Sequence, residues 1–161
     1  MLLDCNVKLD VSAGGYFTPM FSGSTITDVG ELDLRKAGTI LVLQSASYLK
    51  NVDRFILNPA GTSNVFTTAS FNGCTALEHI IFEGMINQNI SLSASKLLDN
   101  DSVQSIINAL KPITDGTART LTFHQEVRDR LTAEQELTIT GTAEQGGKGW
   151  TLLPARTVTE A

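Results

Sequence analysis

The residues of this chain that could do chemistry are few. They are His79 and His124, Cys5 and Cys74, and the glycine-rich stretches Gly14-Gly15 and Gly146-Gly147-Lys148-Gly149. Glu83 lies four residues beyond His79, but two such ligands fall short of the set a usual metal site requires. Cys5 and Cys74 sit far apart in unlike contexts, so neither a disulfide framework nor a zinc spacing is readable, and Cys74 reads as a small buried hydrophobe. The glycines lack the fixed spacing, followed by Ser or Thr, that makes a phosphate-cradling loop, and they read as turns. No nucleophile stands in a recognisable elbow, and no motif positions a general base. Glu126, Arg128, Asp129, Arg130 and Glu134 form a mixed-charge cluster that reads as a solvated helix face. What remains is the chemistry of recognition. No catalytic residue, cofactor or metal is expected.

At 161 residues with 42% hydrophobic content, the chain suits one domain with a real core. A net charge of −5 without a basic run argues against nucleic-acid or anionic-membrane partners. No stretch reaches the roughly 18 apolar residues of a membrane span. The start Met-Leu-Leu-Asp-Cys-Asn has no basic residue leading into an apolar run, so no export signal is read. The expectation is a protein that works without export, as cytosolic and phage proteins do, or a piece of a larger exported one.

The elements that must position a recognition surface follow from one pattern, apolar-x-x-apolar-x-apolar. It is complete at Val29-Leu32-Leu34, Val52-Phe55-Leu57 and Leu77-Ile80-Phe82, and degraded at Asn87-Ile90-Leu92, Ala118-Leu121-Phe123 and Gly147-Trp150-Leu152. Its last two apolar residues alternate with a variable one, as in a short strand with one buried face. Spacings of 23 residues (Leu32 to Phe55) and 25 (Phe55 to Ile80) predict a parallel-stranded solenoid. Residues 1–24, with Val7, Leu9 and Val11 in alternation, read as a first strand or N-terminal cap. Residues 25–153 form the repeat domain. Within them 37–43 is a returning segment with Leu41 and Leu43 turned inward.

Near residue 99 the pattern changes. Val103, Ile106, Ile107 and Leu110 fall at helical spacing after Asp99-Asn100-Asp101-Ser102, and Pro112 marks the stop. Thr132 and Gln135 predict a capping box for a second helix, which Gly141 and Gly146-Gly147 end. The longer intervals, Ile90 to Leu121 (31) and Leu121 to Trp150 (29), leave room for strand-loop-helix units. Trp150 reads as the cap of the last repeat, and residues 154–161 as a frayed tail or a linker.

The unit Phe71-Asn72-Gly73-Cys74-Thr75-Ala76-Leu77-Glu78-His79-Ile80-Ile81-Phe82 resembles the BspA-type (Treponema pallidum-type) leucine-rich repeat, Phe-x-Gly-Cys-x-x-Leu-x-x-Ile-x-apolar. The run from Ser24 to Leu34 is similar. Residues 102–110, 121–123, 131–135 and 148–152 resemble the ending of leucine-rich repeat proteins of gut bacteria and their phages. The β-branched run from Thr138 to Thr142 departs from it. The resemblance implies an α/β solenoid with short parallel strands, irregular convex turns in the N-terminal part and helices in the C-terminal part. It also implies a non-enzymatic interaction module. Absence of an export signal favours a phage virion protein (tail or capsid) acting in assembly or host attachment over a bacterial cell-surface adhesin. The implied partners are protein, either virion subunits or a host surface protein, or glycan, with self-association allowed.

The surface the repeat register assigns to binding is the concave sheet, where residues alternate with the buried ones. Its outward residues are Glu31, Asp33, Arg54, Ile56, His79, Ile81, Glu83, Ser91, Thr120 and Thr122. Ile56 and Ile81 are expected as adjacent exposed apolar residues flanked by charge. His79 and His124 are expected as exposed side chains of a sheet face.

Overall fold

A computed structural model describes residues 8–10, 21–38, 40–41, 43–62 and 66–157, the first segment as backbone alone. Cys5, Gly14-Gly15 and most of the N-terminal cap lie outside the described residues. Within them the chain is mixed α/β, with two parallel sheets and three α-helices. The first sheet holds β1 (Lys8–Asp10), β2 (Asp28–Asp33), β3 (Asn51–Ile56) and β4 (His79–Glu83) in chain order. The second holds β5 (Ile90–Leu92), β6 (Thr120–Phe123) and β7 (Thr151–Leu153), also in chain order. The helices are α1 (Asn100–Ala109), α2 (Gln125–Asp129) and α3 (Ala133–Thr140). The caps of α1 and α3 are those expected: Asp99 accepts the Ser102 N–H, and Thr132 and Gln135 form the box. The short α2 is unforeseen.

Strand register corrects two of the repeat intervals. Phe55 pairs with Phe82 instead of Ile80, and Leu121 with Leu152 instead of Trp150. Each slip is two residues, and because side chains alternate with period two, such a slip leaves the buried set unchanged. Within β3 the register also shifts at a bulge. Val52 pairs with Ile80 but Phe55 with Phe82, so Asp53 and Arg54 together oppose Ile81.

The core beneath the first sheet is aromatic. Phe55, Phe66, Phe71 and Phe82 are all buried, and every pair of their rings lies within 6.4 Å. Returning segments approach in parallel at Ile40 and Phe66, so Ile40 and Leu43 point inward and Leu41 is only half-buried, correcting the expected pair. Cys74 is fully buried, as its context implied, and its thiol donates to the Leu43 carbonyl at 3.0 Å. Just before it, Gly73 adopts φ +83° against the Ser45 backbone, where an added Cβ would meet the Ser45 Cα at 3.0 Å.

Beyond β4 a helix takes over the edge of the sheet. Ser102 Oγ accepts the Ile80 N–H (2.8 Å), and Ser105 Oγ accepts the Phe82 N–H (2.7 Å) and donates to the Phe82 carbonyl (3.3 Å). Two serines one helical turn apart thus satisfy strand groups that a fifth strand would have paired. The other end of α1 is closed by Lys148, whose ammonium donates to the carbonyls of Ile107, Asn108 and Leu110 at 2.6–2.8 Å. Burial pushes the Lys148 pKa down. Trp150 is 2% exposed just before β7, and its indole N–H donates to the Lys111 carbonyl at 2.8 Å.

At the C-terminus, residues 154–157 are tied down instead of frayed. Arg128 donates to the Pro154 carbonyl (3.0 Å), Gln125 to the Ala155 carbonyl (3.1 Å), and Asp129 accepts the Thr157 N–H and O–H, both at 2.8 Å. The mixed-charge cluster is therefore only partly solvated: Arg128 is buried and ion-paired to Glu136 at 2.8 Å, whereas Glu126, Arg130 and Glu134 are exposed. In α3 the helix persists through its β-branched run. Ile139 is fully buried, and the hydroxyls of Thr138 and Thr140 bond back to the carbonyls of Glu134 and Glu136.

Candidate functional site

The outward face of β2, β3 and β4 collects Glu31, Asp33, Arg54, Ile56, His79, Ile81 and Glu83. At its centre Arg54 bridges both neighbouring strands. It donates to Glu31 at 2.5 Å and to both oxygens of Glu83 at 2.6 and 2.8 Å, in a two-pronged arrangement suited to guanidinium geometry. The hydrogen bonds from Arg54 hold the Glu83 carboxyl below its usual range, and those carboxylates raise the Arg54 pKa in return. One row away, Asn51 donates to Asp28 at 2.5 Å and, with Thr27, lowers the Asp28 pKa. Asp33 is bound by Arg35.

Two residues of this face are not exposed. Asp33 is 8% and Ile56 9% accessible. Ile56 lies in register between Asp33 and Glu83, and Arg35 both bonds Asp33 and acts electrostatically on Glu83, so the row closes over it. Nor is Ile56 level with Ile81: Ile56 pairs with Glu83, and Ile81 stands against Asp53 and Arg54. Ile81 alone of the expected pair remains partly exposed.

His79 is half-buried, with its ring Nδ1 2.6 Å from an Asp99 carboxylate oxygen. Asp99 also accepts the Ser102 N–H, and although burial opposes its charge, the bonds from Ser102 and His79 bring its pKa below the ordinary value. His124 does not present itself from a strand: it follows β6 and caps α2, accepting the Glu126 N–H at 3.2 Å.

Ser91, Thr120 and Thr122 belong to the second sheet, where Ser91 pairs with Thr122. The ten expected residues thus occupy two sheets instead of one face. Residues that sequence reasoning passed over include Arg35, two positions beyond Asp33, and Asp53, exposed beside Arg54 at the bulge. The His79–Asp99 pair spans 20 residues and has no local signal. A groove of about 450 Å³ runs along α1 and α3, lined by Gln104, Thr132, Glu134, Gln135 and Thr138, and contains none of the expected residues.

The polar groups of the first sheet's face bind one another in rows. Among the described residues, no group of three or more His, Cys, Asp or Glu could hold a metal ion, and no helix is long and apolar enough to cross a membrane. Comparison of the chain with protein-family models, curated proteins and solved structures finds no significant match.

Proposed function

We propose that this chain is a leucine-rich repeat solenoid of the BspA type that works by binding, without catalysis, through the outward face of β2–β4. Parallel pairing of strands in chain order within each sheet supports the solenoid reading, with the two sheets as two sides of one coil. On this reading α1 and α3 take the place of further strands. Burial of Phe71, Cys74, Leu77, Ile80 and Phe82 supports the repeat unit. The observation that carries the binding reading is the Glu31–Arg54–Glu83 row. Its charges are spread along a sheet and mutually satisfied, an arrangement that presents a surface for a partner and converges on no reacting point.

The resemblance of the C-terminal third to proteins of gut bacteria and their phages, with no export signal read, supports a role as a tail or capsid component of a phage particle in assembly or host attachment, with a protein or glycan partner. Gradient purification of particles tests this. The chain is expected to sediment with intact particles in constant proportion to a structural subunit. Recovery only as free protein in the host cytosol would contradict it, and recovery on the surface of uninfected cells would replace it with the adhesin reading.

A further inference from the structure

We propose that the stacked turns beside the first sheet form a docking saddle for a basic protein segment presenting one apolar side chain, an inference that rests on the protein-binding reading. The same turn is built at 46–49, 74–77 and 95–98, burying Ala46 with Leu49, Cys74 with Leu77, and Ser95 with Leu98. Glu78 N–H donates to the Lys50 carbonyl at 2.9 Å, and Asp99 N–H to the Glu78 carbonyl at 2.7 Å, which holds Lys50, Glu78 and Asp99 level. Tyr48, Ala76 and Leu97, each two residues earlier, therefore stand in one row. Rungs about 4.8 Å apart set Tyr48 and Leu97 about 10 Å apart across the small Ala76, space for one incoming apolar side chain. Tyr48 is 56% and Leu97 46% exposed. Beside this row Asp28 is in register with Asn51, Glu78 and Asp99 are level with Lys50, and Asp53 and Asp101 follow two residues after Asn51 and Asp99. Against these five carboxylates stand the ammonium groups of Lys50 and Lys96, with His79 on Asp99. Glu78 and Lys50 lie 3.7 Å apart, so the surplus is negative. Apolar contact over Ala76 supplies affinity, and Lys or Arg flanking the inserted side chain is selected by the acidic surround.

The probe is a synthetic peptide of alternating Lys and Leu, with a Glu-Leu peptide of equal length as control, titrated into the isotopically labelled chain. Chemical-shift changes should centre on Tyr48, Ala76, Glu78 and Leu97. Leu97→Ser with Glu78→Lys should weaken binding by at least about tenfold, as loss of an interface anchor does. Both positions are exposed, so an unchanged melting temperature checks that the variant folds. Shifts centred elsewhere, unaltered affinity in the variant, or equal binding of the Glu-Leu peptide would overturn the saddle. Peptide failure in a chain that still sediments with particles removes the basic partner and leaves the binding module standing. A saddle that binds the peptide in a chain absent from particles leaves the saddle and removes the virion role.

Discussion

Asp99 joins two parts of the molecule through one carboxylate, the α1 N-terminus and His79 of β4, while its backbone N–H donates to the Glu78 carbonyl. Asp99→Ala should cost about 0.5–2 kcal/mol in denaturant unfolding, the usual range for losing an N-cap, and Asp99→Asn less. The folded-state pKa of Asp99 lies below its ordinary value near 3.8, so its stabilisation is complete above that value and is lost as pH falls through the folded one. The stability gap between the native chain and Asp99→Asn should therefore close in acid, and a gap that persists unchanged below the folded pKa would contradict the linkage. Cys74 makes a second test. Burial pushes its thiol up to about 12, so a thiol reagent should label Cys74 only on unfolding. Fast labelling of the native chain at that position, by mass spectrometry, would contradict the buried placement. The helix-capping role of Asp99 is legible in sequence because a cap is local. Its bond to His79 is not, because that contact exists only once β4 and α1 pack.

At the scale of elements, the telling contact is α1 on the edge of β4. Ser102→Ala with Ser105→Ala leaves the Ile80 and Phe82 N–H groups unpaired in the interior, a loss of about 1–3 kcal/mol for each. Calorimetry should show a lower melting temperature with the helix content kept. An unchanged melting temperature would mean that the edge is not closed by these hydroxyls. The helix itself is visible in the spacing of Val103, Ile106, Ile107 and Leu110, but its role is not, since nothing in a serine's local context names a strand edge as its partner. Register shows the same division. The alternation of apolar residues identifies which side chains are buried, yet it is blind to a slip of two residues and to the bulge that turns Asp53 and Arg54 out together.

Across the whole molecule, the parallel strands and the apolar core are readable from the repeat pattern, whereas the division of strands between two sheets is not. Sheet membership depends on where the chain turns between Glu83 and Ile90, and that turn carries no periodic signal. The consequence falls on the proposed binding surface, because Ser91, Thr120 and Thr122 stand apart from the charged rows of β2–β4. Ile56 is buried, so a carboxylate there would test folding instead of recognition. The direct test of the central claim is particle association of two folded variants: Ile81→Asp with Arg54→Glu on the first sheet, and Thr120→Lys with Thr122→Lys on the second. The account predicts that the first pair releases the chain from particles and the second leaves it bound. Release by the second pair alone, with the first still bound, would contradict it.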